Sequence, residues 1–161
     1  MSVIVCNAGP LIALAGIGRA EILRDLFGAV LVSEAVQAEV EAGGRKGAGA
    51  GIFRTAGWLR VKPLRQPPDA LLDSLLDCGE AATISLARQE SADLVLIDEV
   101  KGRRVARNVY GLAVIGTGRL LVEAKESSLI SHVRPLLERI RGNGYWIADK
   151  IFSEILRQAG E

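Results

Sequence analysis

A chain of 161 residues, 49% apolar but only 4% aromatic, has room for one aliphatic core and a single domain spanning 1–161. Its formal net charge of +1 leaves no global basic field, so any nucleic-acid contact must be local. A single histidine, His132, excludes multi-histidine zinc sites and most Ser-His or Cys-His triads.

Val3 to Cys6 reads as a short apolar strand ending at Asn7, and Pro10 suits the first turn of a helix carrying Leu11, Ile12 and Leu14. A second helix over 20–27 closes at Gly28, and 30–32 form a second strand. Ser33 is placed to cap a helix reaching about Glu41, which Gly43-Gly44 stop. The glycine-rich stretch to Gly51 reads as flexible, with Arg45, Lys46 and Arg54 as a possible nucleic-acid surface or simply a solvated loop. A weaker strand follows over 58–61, then helices through 70–76 and from about Gly79. Leu94 to Ile97 is wholly apolar, as a buried parallel strand should be. A basic helix over about 100–110, a short strand at 113–115 and further helices complete the chain. The alternation predicts a three-layer α/β/α fold with a mainly parallel sheet of about four to five strands. The C-terminal helices, about 132–158, would pack on that domain or on a dimer mate. Val133, Leu136, Leu137 and Ile140 form a core stripe, while Ile147, Ile151 and Ile155 are left to cover the sheet or a second copy.

Cys6 and Cys78 have no metal-type spacing and read as small buried residues. Walker, G-x-G-x-x-G and G-x-S-x-G motifs do not occur. No stretch approaches the roughly 20 apolar residues of a membrane helix. The start has no charged leader before a long apolar span, so a cytoplasmic protein without membrane contact is expected.

The acids carry the chemistry. Asp98 and Glu99 end the best-buried strand, at the sheet edge where α/β folds bind ligands, and strand alternation would send them to opposite sides. Glu39 lies about 60° around its helix from the inward Val36 and could face the site or snorkel to water from the margin of the buried face. Asp77 and Glu80 have capping-box spacing, yet Glu80 also heads the inward stripe with Thr83, Ile84 and Ala87; capping and site roles are both open. In the usual doubly wound order the first strand neighbours the later buried one, which brings Asn7 near Asp98. If Asn7, Glu39, Glu80 and Asp98 converge, an amide and three carboxylates share one crevice, and the repulsion among the carboxylates calls for a cation. An all-oxygen set selects Mg²⁺ or Mn²⁺, which act on phosphate esters. Lys101, Arg103, Arg104 and Arg107 then offer contacts to RNA phosphates, or pair with neighbouring acids.

These stretches together resemble the PIN-domain family, most closely its bacterial and archaeal VapC-like branch, often described as a domain of unknown function. The matching segments are Asn7 to Leu14, Val36 to Val40, Leu76 to Ala82, Leu96 to Glu99 with Lys101 to Ala106, and Gly144 to Ile147. The resemblance implies a Mg²⁺- or Mn²⁺-dependent endoribonuclease, usually the toxin of a toxin–antitoxin pair, acting as a homodimer and restrained by a cognate antitoxin. Its metal acids carry over to Glu39, Glu80 and Asp98, with Glu99 in support. PIN nucleases typically begin with Asp followed two positions later by a hydroxyl residue, where this chain has Asn7 and Gly9. That exchange removes one negative charge and one hydroxyl that could hold water. The alternative is therefore a catalytically weakened PIN-like module that binds RNA or protein.

Overall fold

Apolar, β-branched runs separated by amphipathic helices assemble into five parallel strands in the computed structural model, which describes residues 2–161 apart from the Arg45 side chain. In chain order the elements are β1 (Ile4–Cys6), α1 (Ala8–Gly16), α2 (Glu21–Phe27), β2 (Val30–Ser33), α3 (Glu34–Glu41), α4 (Gly44–Gly47), α5 (Ile52–Thr55) and β3 (Leu59–Lys62). They continue with α6 (Ala70–Leu75), α7 (Cys78–Gln89), β4 (Leu94–Leu96), α8 (Val100–Asn108), β5 (Val114–Ile115), α9 (Thr117–Glu126), α10 (Arg134–Gly142) and α11 (Asp149–Gln158).

The strand order is β3-β2-β1-β4-β5. The chain first builds outward from β1 through β2 to β3, then crosses to the other side of β1 and continues through β4 to β5. This reversal at β1 and β4 opens a crevice beyond their carboxyl ends, where parallel sheets bind ligands. Register is set by Ile4 opposite Leu94, Val5 opposite Val95 and Cys6 opposite Leu96. The ladder runs one step further, with Asn7 N–H donating to the Leu96 carbonyl at 2.9 Å.

Strand alternation divides the core between the two faces. Ile4, Cys6, Val30, Val32 and Leu96 pack with residues of α1, α2, α3, α9, α10 and α11. Val5, Val95, Ile97 and Val114 pack on the other face with residues of α6, α7 and α8. Each fully buried aliphatic side chain contributes about 1.5–3 kcal/mol of transfer free energy. α7 is buried from Gly79 to Ala87 and lies against α3, β1, β2 and β4, which fixes where its N-terminus begins.

Several local expectations change. The glycine-rich stretch contains α4 and is followed by α5, each one turn of helix; Lys46 and Arg54 are exposed, and the Arg45 side chain lies outside the described residues. Cys6 is buried, but Cys78 is exposed because it is the first residue of α7 and points away from that helix's packed side. The inward face of α11 is Phe152 and Leu156, so Ile151 is left 53% exposed on an open groove. No described helix is long and apolar enough to cross a membrane.

The start of α10 has no local side-chain cap; His132 is exposed and the carboxylate of Glu161 serves instead. It accepts from Val133 N at 2.6 Å and Arg134 N at 3.1 Å, and Lys125 Nζ lies 3.1 Å away. Burial pushes this carboxyl up, but those N–H groups and the ammonium outweigh it and bring it from 4.5 to about 2. The stabilisation is therefore present above the ordinary value and lost as pH falls toward the folded one. Glu161→Gln is expected to lower the melting temperature by about 2–4 °C at pH 7, the scale of one lost helix cap in a chain of this size. Thermal melts should show the gap to wild type narrowing as the solution is acidified below the ordinary carboxyl range.

Candidate active site

Five of the residues singled out by the sequence meet at the carboxyl edge of the sheet. Asn7 follows β1, Asp98 and Glu99 follow β4, Glu39 comes from α3 and Glu80 from the first turn of α7. Together with Gly9, Ile12, Gly44 and Asp77 they line a crevice of about 300 Å³. Asn7 and Glu80 form its buried floor at 6% and 7% exposure, Asp98 is half-buried, and Glu39 and Glu99 stand exposed at the rim. Two glycines permit the approach. A β-carbon on residue 79 would meet Glu39 Oε1 at 3.3 Å, Asn7 Oδ1 at 3.7 Å and Asp77 Oδ1 at 3.7 Å. One on residue 102 would meet Ile97 Cγ2 at 3.0 Å and Glu80 Oε1 at 3.2 Å.

Glu80 combines the two roles its spacing left open. Its backbone N–H donates to Asp77 Oδ1 at 2.8 Å, and its carboxylate interacts in return with the Asp77 backbone N–H, as a capping box requires. The same carboxylate lines the crevice. Burial, then the charges of Asp77, Glu99 and Glu39, push its pKa up to about 7 against the pull of the Asp77 N–H.

Asn7 is held from behind by Thr83, whose Oγ1 lies 3.1 Å from Asn7 Oδ1 and 2.8 Å from the Gly79 carbonyl oxygen. A hydroxyl has one proton and cannot serve both acceptors. The carbonyl, one helical turn back, is the closer and more rigid partner. Asn7 Oδ1 is thus the weaker of that hydroxyl's two acceptors, and as a carbonyl oxygen it retains a lone pair for a further partner.

Asp98 is oriented from two directions. Thr117, at the start of α9, gives its backbone N–H to Oδ1 at 2.6 Å and its hydroxyl to Oδ2 at 2.7 Å. The Tyr145 hydroxyl also bonds to Oδ2. Glu99 does not turn to the opposite side of the sheet as alternation predicted; it lines the same crevice as Asp98. β4 ends at Leu96, so both acids lie beyond the pleat, in the connection to α8.

The basic residues separate into two kinds. Arg103 gives a guanidinium N–H to the carbonyl of Asp98 and, at 3.3 Å, to that of Ile97; Arg107 reaches the Val114 carbonyl at 3.2 Å. Both brace the strand ends. Lys101 and Arg104 are exposed on α8.

Over residues 3–161 the chain matches the family model described as DUF3368: PIN domain. It belongs to that PIN-domain family. The five-stranded parallel sheet flanked by helices agrees with the assignment. PIN domains are mostly metal-dependent nucleases that typically use divalent cations and act on nucleic acid. No curated protein matches the sequence.

Among the described residues, no three His, Cys, Asp or Glu side chains are drawn together closely enough to hold an ion by themselves. The oxygen-only donors of the PIN crevice nonetheless fit Mg²⁺ or Mn²⁺, which keep several waters and take one or two carboxylates together with substrate phosphate. Glu80 is raised first by its burial and then by the charges of Asp77, Glu99 and Glu39, and a cation in the crevice would offset both costs. Thr83, Thr117 and Tyr145 were not singled out for the site by sequence reasoning. Thr117 had a usable signal, since it follows β5 as Asp98 follows β4. Tyr145 lies in a connection between two helices, where periodicity is silent; its one signal was its place in the Gly144 to Ile147 segment of the resemblance, which attached no role to it.

Two outcomes follow. Glu80 titrates at about 7 when folded against an ordinary 4.5, so its contribution to stability is full below the ordinary value and is lost as pH rises through the folded one. The metal-free protein should therefore melt at lower temperature as pH rises across that window, and Glu80→Gln should flatten the slope; equal slopes would contradict the assignment. Asn7→Asp adds a charge to the floor, and is expected to lower the metal-free melting temperature while tightening Mn²⁺ binding about tenfold by calorimetry.

Proposed function

We propose that this PIN domain is a Mg²⁺- or Mn²⁺-dependent endoribonuclease and the toxin of a VapC-type toxin–antitoxin pair. The observation that carries the reading is the gathering of Asn7, Glu39, Glu80, Asp98 and Glu99 around one crevice at the β1/β4 switch point. Asn7, Glu39, Glu80 and Asp98 would hold the cation, with Glu99 as a supporting acid. A bound Mg²⁺ or Mn²⁺ supplies an activated water and neutralises charge on the phosphoryl oxygens.

This chain's own groups do the rest. Thr117 and Tyr145 fix the rotation of the Asp98 carboxylate before any ligand arrives, which lowers the cost of ordering it later. Glu80 would have to give up its proton to hold a cation, which would couple cation uptake to deprotonation at the crevice floor. Lys101 and Arg104, exposed on α8, would meet RNA phosphates, while Arg103 and Arg107 would act from their anchored positions at the strand ends. The toxin reading also implies a homodimer and a cognate antitoxin. A protein partner is supported by the apolar groove beside the crevice, where Trp146 is 80% exposed and Ile151 53% exposed.

Asn7 favours one other reading. Its neutral amide leaves the floor one charge short, as expected of a PIN module that binds RNA or protein without cutting it. Incubation of structured and single-stranded RNA with Mn²⁺ or Mg²⁺ separates the two. Cleavage that falls at least about 10²-fold in Asp98→Asn, the scale of a lost transition-state charge contact, supports the nuclease. Equal residual cleavage in both proteins, with RNA retained in the presence of chelator, supports the binding module.

A further inference from the structure

Tyr145 lies outside any helix or strand, in the connection between α10 and α11, yet its hydroxyl bonds to Asp98 Oδ2 inside the crevice. Directly beneath it is Gly9, in the first turn of α1. Gly9 is not among the glycines with positive φ, so its backbone conformation is open to any residue, and glycine in a helix sacrifices stability relative to alanine. Space is the physical reason for it. A β-carbon on residue 9 would stand 3.1 Å from Tyr145 Oη, closer than carbon and oxygen normally pack, and 3.5 Å from Asp98 Oδ2. The phenol thus occupies the position from which a short side chain on α1 would otherwise reach the same carboxylate.

The chemistry of the donor matters as well as its place. A carboxylate has about four acceptor positions. Thr117 N, Thr117 Oγ1 and Tyr145 Oη fill three on Asp98, leaving capacity for one more partner. All three donors are neutral. They orient the carboxylate without bringing a positive charge of their own, whereas a lysine or arginine in the same place would compete with a cation.

We propose that Tyr145 and Gly9 form a matched pair in which the C-terminal connection delivers the hydroxyl that positions Asp98 for a divalent cation. The proposal rests on the reading of the crevice as a cation site. It makes Tyr145 a positioning residue, and makes the α10–α11 connection part of the site, although it is remote in sequence from the strand ends.

A double-mutant cycle with Gly9→Ser, Tyr145→Phe and the pair tests this, using Mn²⁺ alone as the probe. Calorimetry reads affinity, and thermal melting without metal reads stability. Tyr145→Phe should weaken Mn²⁺ about 10-fold, within the range for loss of a group that orients a metal ligand, with little change in melting temperature. Gly9→Ser should weaken Mn²⁺ similarly and also lower the melting temperature, because its side chain crowds the phenol oxygen. The double variant should recover both, since the serine hydroxyl takes the place the phenol oxygen has left. Effects that simply add would overturn the pairing. Undiminished Mn²⁺ affinity in Tyr145→Phe would overturn the positioning role. A wild-type protein that takes up no Mn²⁺ would instead overturn the cation reading on which it stands, a result distinct from either of the others.

Discussion

Parallel pairing of β4 with β1 is the constraint on which the rest of the molecule depends. Cys6 stands opposite Leu96, and the ladder continues into the Asn7 N–H to Leu96 carbonyl bond at 2.9 Å. With that register, the residues leaving the two strands emerge at one level, and Asn7 and Asp98 enter the same crevice. A slip of one residue would exchange the faces of Val95 and Leu96, which belong to different cores, so the register is held by hydrophobic burial on both sides of the sheet. The position of the acids is thus enforced by residues that have no part in the chemistry.

That scaffold works against an electrostatic load. Burying Glu80 near Asp77, Glu39 and Glu99 is unfavourable in the metal-free protein, and its raised pKa measures the conflict. The N-terminus of α7 offsets part of it, because the Asp77 backbone N–H faces the carboxylate and the helix dipole favours negative charge there. Asp98 is treated likewise at the start of α9, through Thr117. Two helix N-termini therefore support two acids of the crevice, while the neutral Asn7 limits the total charge on its floor.

The layers, the parallel sheet and the central place of β1 were legible from the pure apolar runs and their alternation with amphipathic helices. Asn7, Glu39, Glu80, Asp98 and Glu99 were legible because each stands at a strand end or on an inward helical face. Three things were not. The direction of Glu99 was not, because it stands three residues past the end of β4 at Leu96, where strand alternation no longer holds. The Glu161 cap was invisible because it joins residues far apart in sequence, and no local side chain caps α10. Tyr145 escaped for the same reason, since its hydroxyl bonds across 47 positions from a segment with no periodicity of its own. Periodicity reports which face a residue occupies; it says nothing about which distant side chain will fill the space above a glycine.

The register of β1 against β4 also bears on the order in which the molecule can fold. Val3 N–H binds Asp93 Oδ2 across a separation of 90 positions, so the central pair closes only after a long stretch of chain has been confined. The β2–β3 pairing and the α3 cap involve closer neighbours and carry a smaller loop-closure cost. On loop-closure cost alone, β1–β4 is the costlier pairing, so Asn7 and Asp98 come together at a greater entropic cost than the residues of the β2–β3 ladder.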